Sequence, residues 1–130
     1  MNSVSADVDT LKGMRVLVVE DSFLIAWSLR RILTELGCRV VGPVSTVAQA
    51  MRLIEERGCD AAILDVNLGT ETSLPIAETL SARSTPFFFV TGYASPALSA
   101  HEFQAQRRLR KPLTEATLRN AMLEDFIRER

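Results

Sequence analysis

The chain has 130 residues, 47% of them hydrophobic, and a formal net charge of −1, which suits one domain with a sizeable core and leaves no room for two. So balanced a charge excludes a general electrostatic pull toward nucleic acid. The polar stretch from Met1 to Lys12 lacks a signal peptide's apolar region, and no apolar run approaches a bilayer span.

In chain order, residues 1–12 read as a polar N-terminal tail and residues 13–130 as the folded domain. Met14 to Glu20 is rich in Val and Leu without polar alternation, the pattern of a central parallel strand buried on both faces. Ser22 to Leu36 carries Ile25, Leu29, Ile32 and Leu36 at helical spacing, and Gly37 supplies the stop. Cys38 to Val44 is a second strand. Ser45 or Thr46 caps a helix bearing Val47, Met51 and Ile54, ended by Gly58. Asp60 to Asp65 is a third strand, Val66 to Thr70 a loop, and Ser73 to Arg83 a helix that tolerates Pro75 in its first turn. Pro86 to Thr91 is an aromatic fourth strand, Ser95-Pro96 opens a weaker helix, and Gln106 to Arg110 is a short fifth strand. Thr114 caps a last helix with Leu118, Met122, Phe126 and Ile127. Such alternation predicts an α/β doubly wound parallel sheet. Cys38 and Cys59 follow helix-stopping glycines and read as free thiols rather than a disulfide framework.

Glu20-Asp21, Asp65, Thr91 and Lys111-Pro112 all fall at the ends of strand-like runs. In a parallel sheet these ends point one way, so the residues converge on a single crevice. Carboxylates, a hydroxyl and a lysine gathered there suit a divalent cation and a phosphoryl group. Glu20 and Asp21 alone read as a solvated strand end. With Asp65 on the adjacent strand, however, the carboxylates repel unless a cation joins them.

This ordered set resembles the receiver domain of bacterial response regulators, over roughly residues 13 to 128. The resemblance implies a flavodoxin-like (βα)5 fold with strand order 2-1-3-4-5. It also implies that Asp65 is the phosphoacceptor, that Asp21 binds Mg²⁺ directly, that Glu20 holds the ion through water, and that the backbone carbonyl of Asn67 completes the metal site. Lys111 matches the lysine that pairs with Asp65 and then with the phosphoryl oxygens, Pro112 the proline after a cis peptide bond, and Thr91 the switch hydroxyl. Two positions depart from the common pattern: Gly92 stands where a small residue such as Ala is usual, and Arg108 where an aromatic is usual, which puts a coupled aromatic switch in doubt. Phe89-Val90-Thr91-Gly92-Tyr93 looks instead like the signature of the FAT GUY subfamily of single-domain receivers, often paired with HWE-class histidine kinases. Gly92 and Tyr93 are thereby marked as loop modulators.

The function expected is that of a stand-alone, cytoplasmic receiver without an output domain. It would take a phosphoryl group from a sensor histidine kinase or phosphotransfer protein, and would signal through an unknown protein partner or serve as a phosphate shuttle or sink. It would not be an enzyme beyond its own phosphorylation and dephosphorylation, and neither nucleic acid nor membrane would be a partner. The alternatives are a phosphorylation-independent pseudo-receiver and an aspartyl-nucleophile phosphatase, whose haloacid dehalogenase type wants an Asp where Asn67 stands. At 100° per residue, Phe23 and Trp27 point away from the sheet and are candidates for partner docking. The basic run Arg107, Arg108, Arg110 and Lys111 reads as a charged edge strand, with an acidic protein as a possible partner.

Overall fold

The structure is a computed structural model that describes residues 9–92 and 106–127. Strands β1 (Arg15–Val19), β2 (Arg39–Val44), β3 (Ala61–Asp65), β6 (Phe87–Thr91) and β7 (Arg108–Arg110) form one sheet in the order β2-β1-β3-β6-β7. All four pairings in it are parallel. A separate antiparallel pair, β4 (Asn67–Leu68) with β5 (Glu71–Thr72), interrupts the numbering. Without it the order is the expected 2-1-3-4-5, the flavodoxin-like arrangement of the receiver fold.

Alternate residues of the buried strands feed two cores, as a sheet covered on both faces requires. Val16, Val18, Ile63, Phe88 and Val90 pack with Leu29, Leu33, Leu118 and Met122, from helices α1 (Phe23–Glu35) and α4 (Glu115–Asp125). Leu17, Val19, Leu64 and Phe89 pack with Ile54, Ile76 and Leu80, from helices α2 (Val47–Glu56) and α3 (Leu74–Ala82). Phe88 stacks on Phe126 at 4.9 Å between centroids and so ties the middle of the sheet to the end of α4.

Helix starts follow side-chain chemistry. The Ser22, Thr46 and Thr114 hydroxyls accept from the amides of Ile25, Gln49 and Thr117 and satisfy donors that the helices cannot. Gly37, at φ +92°, ends the first helix unit where any Cβ would also fall 2.8 Å from Lys12 Cγ.

Three findings differ from expectation or extend it. Residues 66–70 are not a plain loop, because Asn67–Leu68 and Glu71–Thr72 pair as a small hairpin. Leu68 is drawn into the core and Glu71 accepts from the Val47 amide at 3.0 Å, a tertiary anchor that no local pattern announces. Leu11, within the stretch read as a polar tail, is fully buried in the α1/α4 core. The Gly42–Pro43 peptide is cis, as is the anticipated Lys111–Pro112 bond. The helix expected from Ser95-Pro96 lies outside the described residues.

Candidate functional site

The crevice forms where β1, β3 and β6 end and the chain leaves β7. Glu20 follows β1 and is 2% exposed; Asp65 closes β3 and is 4% exposed; Thr91 closes β6 and is also buried. Lys111 follows β7, and its amide donates to the Thr91 carbonyl at 3.0 Å, which brings the lysine to the crevice. Its ammonium lies 3.1 Å from Glu20 Oε1 and 3.2 Å from Asp65 Oδ2. Four of the residues expected to act together are thus assembled by parallel strands, as the shared direction of their C-terminal ends demands.

The backbone completes the arrangement. The Ser22 amide donates to Glu20 Oε2 at 3.0 Å, and the Asn67 amide to Asp65 Oδ1 at 3.3 Å. Asn67 therefore touches Asp65 through its N–H, a contact the sequence reading did not foresee. Asp21 is exposed at the mouth, and Glu20, Asp21 and Asp65 each offer an oxygen within 4.8 Å of the others. Glu20 Oε1 is buried and, although 3.1 Å from the ammonium, receives no hydrogen bond. An acceptor left open inside an all-oxygen cluster fits a hard divalent cation such as Mg²⁺.

Electrostatics reflect the crowding. Burial above all, then the hydrogen bond and charge of Glu20, push Asp65 up to about 7, against the opposing pull of Lys111. Burial alone would lower the Lys111 ammonium, but its contacts with Glu20 and Asp65 outweigh that and raise it. In the absence of a cation the site therefore holds a carboxylate that ionises reluctantly beside a lysine that keeps its proton. A cation would reverse the balance at Asp65 by stabilising its anion.

Of the loop positions, Pro112 follows the cis bond at the rim, and Gly92 is exposed with no atom of the described residues, its chain neighbours aside, within 4 Å of where a Cβ would stand. Its φ is not in the left-handed region, so this conformation does not use the freedom of glycine. Tyr93 lies outside the described residues. Phe23 is 80% and Trp27 53% exposed, as the helical geometry predicted, and Leu24 joins them. The basic run is divided in its roles. Arg107 pairs with Asp125 at 2.8 Å and with Glu124, Lys111 enters the crevice, and Arg108 and Arg110 stay exposed on β7. A cleft of about 420 Å³ beside Lys111 is lined by Leu24, Ile25, Pro112 and Leu113. No single motif signals it, because its walls come from opposite ends of the chain. No helix of the described residues is long and apolar enough to cross a membrane.

The family model described as the response regulator receiver domain matches residues 16–123. The solution structure of SdrG from Sphingomonas melonis Fr1 is 44% identical, with a TM-score of 0.74 over 85% of this chain and 93% of that one. The solution structure of SdrG from Pseudomonas melonis Fr1 in its BeF3-activated conformation is likewise 44% identical, with a TM-score of 0.71 over 83% and 92% of the two chains. Among curated proteins, MrkE of Klebsiella pneumoniae is 27% identical over 84% of this chain, which spans only 42% of that protein's length.

Proposed function

The chain belongs to the response regulator receiver domain family, and on that premise we propose that it accepts a phosphoryl group on Asp65 from a histidine kinase or phosphotransfer protein. The observation that carries this reading is the contact of one ammonium, Lys111 Nζ, with both Glu20 and Asp65 inside the acidic crevice. Glu20, Asp21, Asp65 and the backbone carbonyl of Asn67 would hold Mg²⁺, which when bound offsets negative charge on phosphoryl oxygens.

An oxygen of Asp65 forms the new bond to phosphorus while the phosphorus–nitrogen bond of the donor histidine breaks and its electron pair returns to the imidazole. Lys111, already 3.2 Å from Asp65 Oδ2, is placed to follow charge from the carboxylate to the phosphoryl oxygens. Thr91 closes the adjacent strand and Lys111 begins the next loop, so their movement toward a new dianion would carry the signal to the surface. Gly92, Tyr93 and Pro112 would tune that movement and the lifetime of the acyl phosphate. That SdrG has a BeF3-activated conformation supports a phosphoryl-responsive reading at 44% identity.

The signal would leave through altered protein contacts, in the cytoplasm where such kinases present their histidine. Phe23, Trp27 and the Leu24 cleft beside the crevice would receive the phosphodonor, in keeping with the HWE-class pairing that the Phe89–Tyr93 signature suggests. Incubation with acetyl phosphate and Mg²⁺, followed by intact mass, tests the central claim. Wild type gains one phosphoryl group and Asp65→Asn gains none; equal gain by both sinks it.

A further inference from the structure

A second charged feature lies at the β2 edge of the sheet, away from the acidic crevice. A groove of about 390 Å³ there gathers Arg30 from α1, Arg39 from β2, Arg57 from the end of α2 and Arg15 from β1. Arg15 is committed to the fold: its guanidinium donates to the Arg57 carbonyl at 2.7 Å and lies 3.9 Å from Asp60. Arg30, Arg39 and Arg57 are exposed, and none pairs with a carboxylate among the described residues. Asp60 is engaged with Arg15 and Glu35 with Arg31 at 3.2 Å, while Glu55 and Glu56, just before Arg57, do not line the groove. No acid is among the residues that line the groove.

In a chain of net charge −1, three exposed arginines line one groove without a carboxylate partner among the described residues, a local excess of positive charge that favours an anion. Four observations narrow the anion. No aromatic lines the groove, and the adjoining one offers the single ring of Trp27 beside the acidic Glu35, so successive bases have no stacking platform. At the end of α2 the Arg57 and Gly58 carbonyls accept from Arg15 and their amides donate back into the helix, so no free amides are left there to cradle a compact phosphate. Pro43 removes a donor from β2, which discourages strand addition along this edge. The three guanidiniums stand on three different elements, a spread that suits several separate carboxylates better than one concentrated charge.

We infer that this groove is a docking surface for an acidic, Asp/Glu-rich segment of a partner protein. Arg30 and Thr34 also line the adjoining groove that contains Trp27, so the basic surface continues directly into the exposed aromatic one on α1.

The test uses poly-glutamate as the probe, with polyphosphate and a single-stranded oligonucleotide as competitors for the assignment, read by amide NMR shifts and by affinity against salt. Poly-glutamate should shift amides of Thr34, residues 39–42 and Arg57, with affinity falling as salt rises. Combined Arg30→Glu, Arg39→Glu and Arg57→Glu should weaken it by roughly tenfold or more, while uptake from acetyl phosphate is unchanged. Should the triple variant fold poorly, Arg39→Gln alone should give a smaller loss in the same direction. Shifts elsewhere, unchanged affinity in the variants, or binding of polyphosphate or the oligonucleotide as tight as that of poly-glutamate would each overturn the inference.

Discussion

Asp65 binds its proton more tightly in the folded chain, where it titrates at about 7, than when unfolded, near 3.8. Between those values folding takes up a proton, so this residue's contribution to stability falls as pH rises from about 4 to about 7 and stays low above that. Metal-free protein should therefore lose thermal stability across that window. Asp65→Asn, with no carboxylate to ionise there, should flatten that part of the profile and be the more stable protein at neutral pH. Calorimetric melts of both proteins across the pH range check this, and parallel profiles would refute it. The same proton competes with a cation, so Mg²⁺ affinity should rise as pH passes through about 7; isothermal titration at several pH values measures it. At Gly92, with no atom of the described residues within 4 Å of a Cβ position and no left-handed φ, Gly92→Ala should leave the melting temperature unchanged. Any effect should appear only in phosphorylation or dephosphorylation rates, and a fall in melting temperature would show that the fold itself needs glycine there.

Helix α1 serves two environments at once. Its buried Leu29, Ile32 and Leu33 hold it on the sheet, while Phe23, Leu24 and Trp27 stay in solvent. Trp27→Ala should slow phosphotransfer from the cognate kinase and leave uptake from acetyl phosphate unchanged, because the small donor meets only the crevice. Equal loss with both donors would assign Trp27 to the fold. Helix α2 starts on two acceptors, the Thr46 hydroxyl at 3.1 Å from the Gln49 amide and the Glu71 carboxylate at 3.0 Å from the Val47 amide. Removing a charged acceptor at such a start costs about 1 kcal/mol. Glu71→Ala should therefore lower the free energy of unfolding by that amount in denaturant melts, and a value equal to wild type would mean that the hairpin stands without this anchor.

Across the whole molecule, Lys111 couples the crevice to β7 and the last helix. Its ammonium spans Glu20 and Asp65, and its amide holds Thr91. Four residues earlier Arg107 clamps Asp125 at the end of α4, and Phe126 stacks on Phe88 in the central sheet. A pull on Lys111 by a phosphoryl group therefore has a short covalent path to the contacts that seat α4. Lys111→Ala should still fold, yet give smaller amide shifts in α4 than wild type when beryllofluoride is added. Shifts of full size would mean that the signal bypasses the lysine.

Whereas the spatial order of the strands was legible only through the family resemblance, period and punctuation in the sequence were enough for the buried strands, the described helices, their succession along the chain, and the convergence of Glu20, Asp65, Thr91 and Lys111. Those features follow from local rules, since a run such as Val16–Val19 has few alternatives to a buried strand and parallel strand ends must share a direction. The outward aspect of Phe23 and Trp27 was legible for the same reason, helical phase. Tertiary structure alone decided what depends on partners distant in the chain. The hairpin after Asp65 exists because Glu71 reaches Val47 and Leu68 finds the core. Leu11 is buried because α1 and α4 leave it a place. The arginines at the β2 edge share a groove because α1, the start of β2 and the end of α2 lie beside one another, and the reluctance of Asp65 to ionise arises from burial beside Glu20. Pattern within a segment specifies its own conformation, whereas contacts and charge states are properties of the neighbours that folding brings to it.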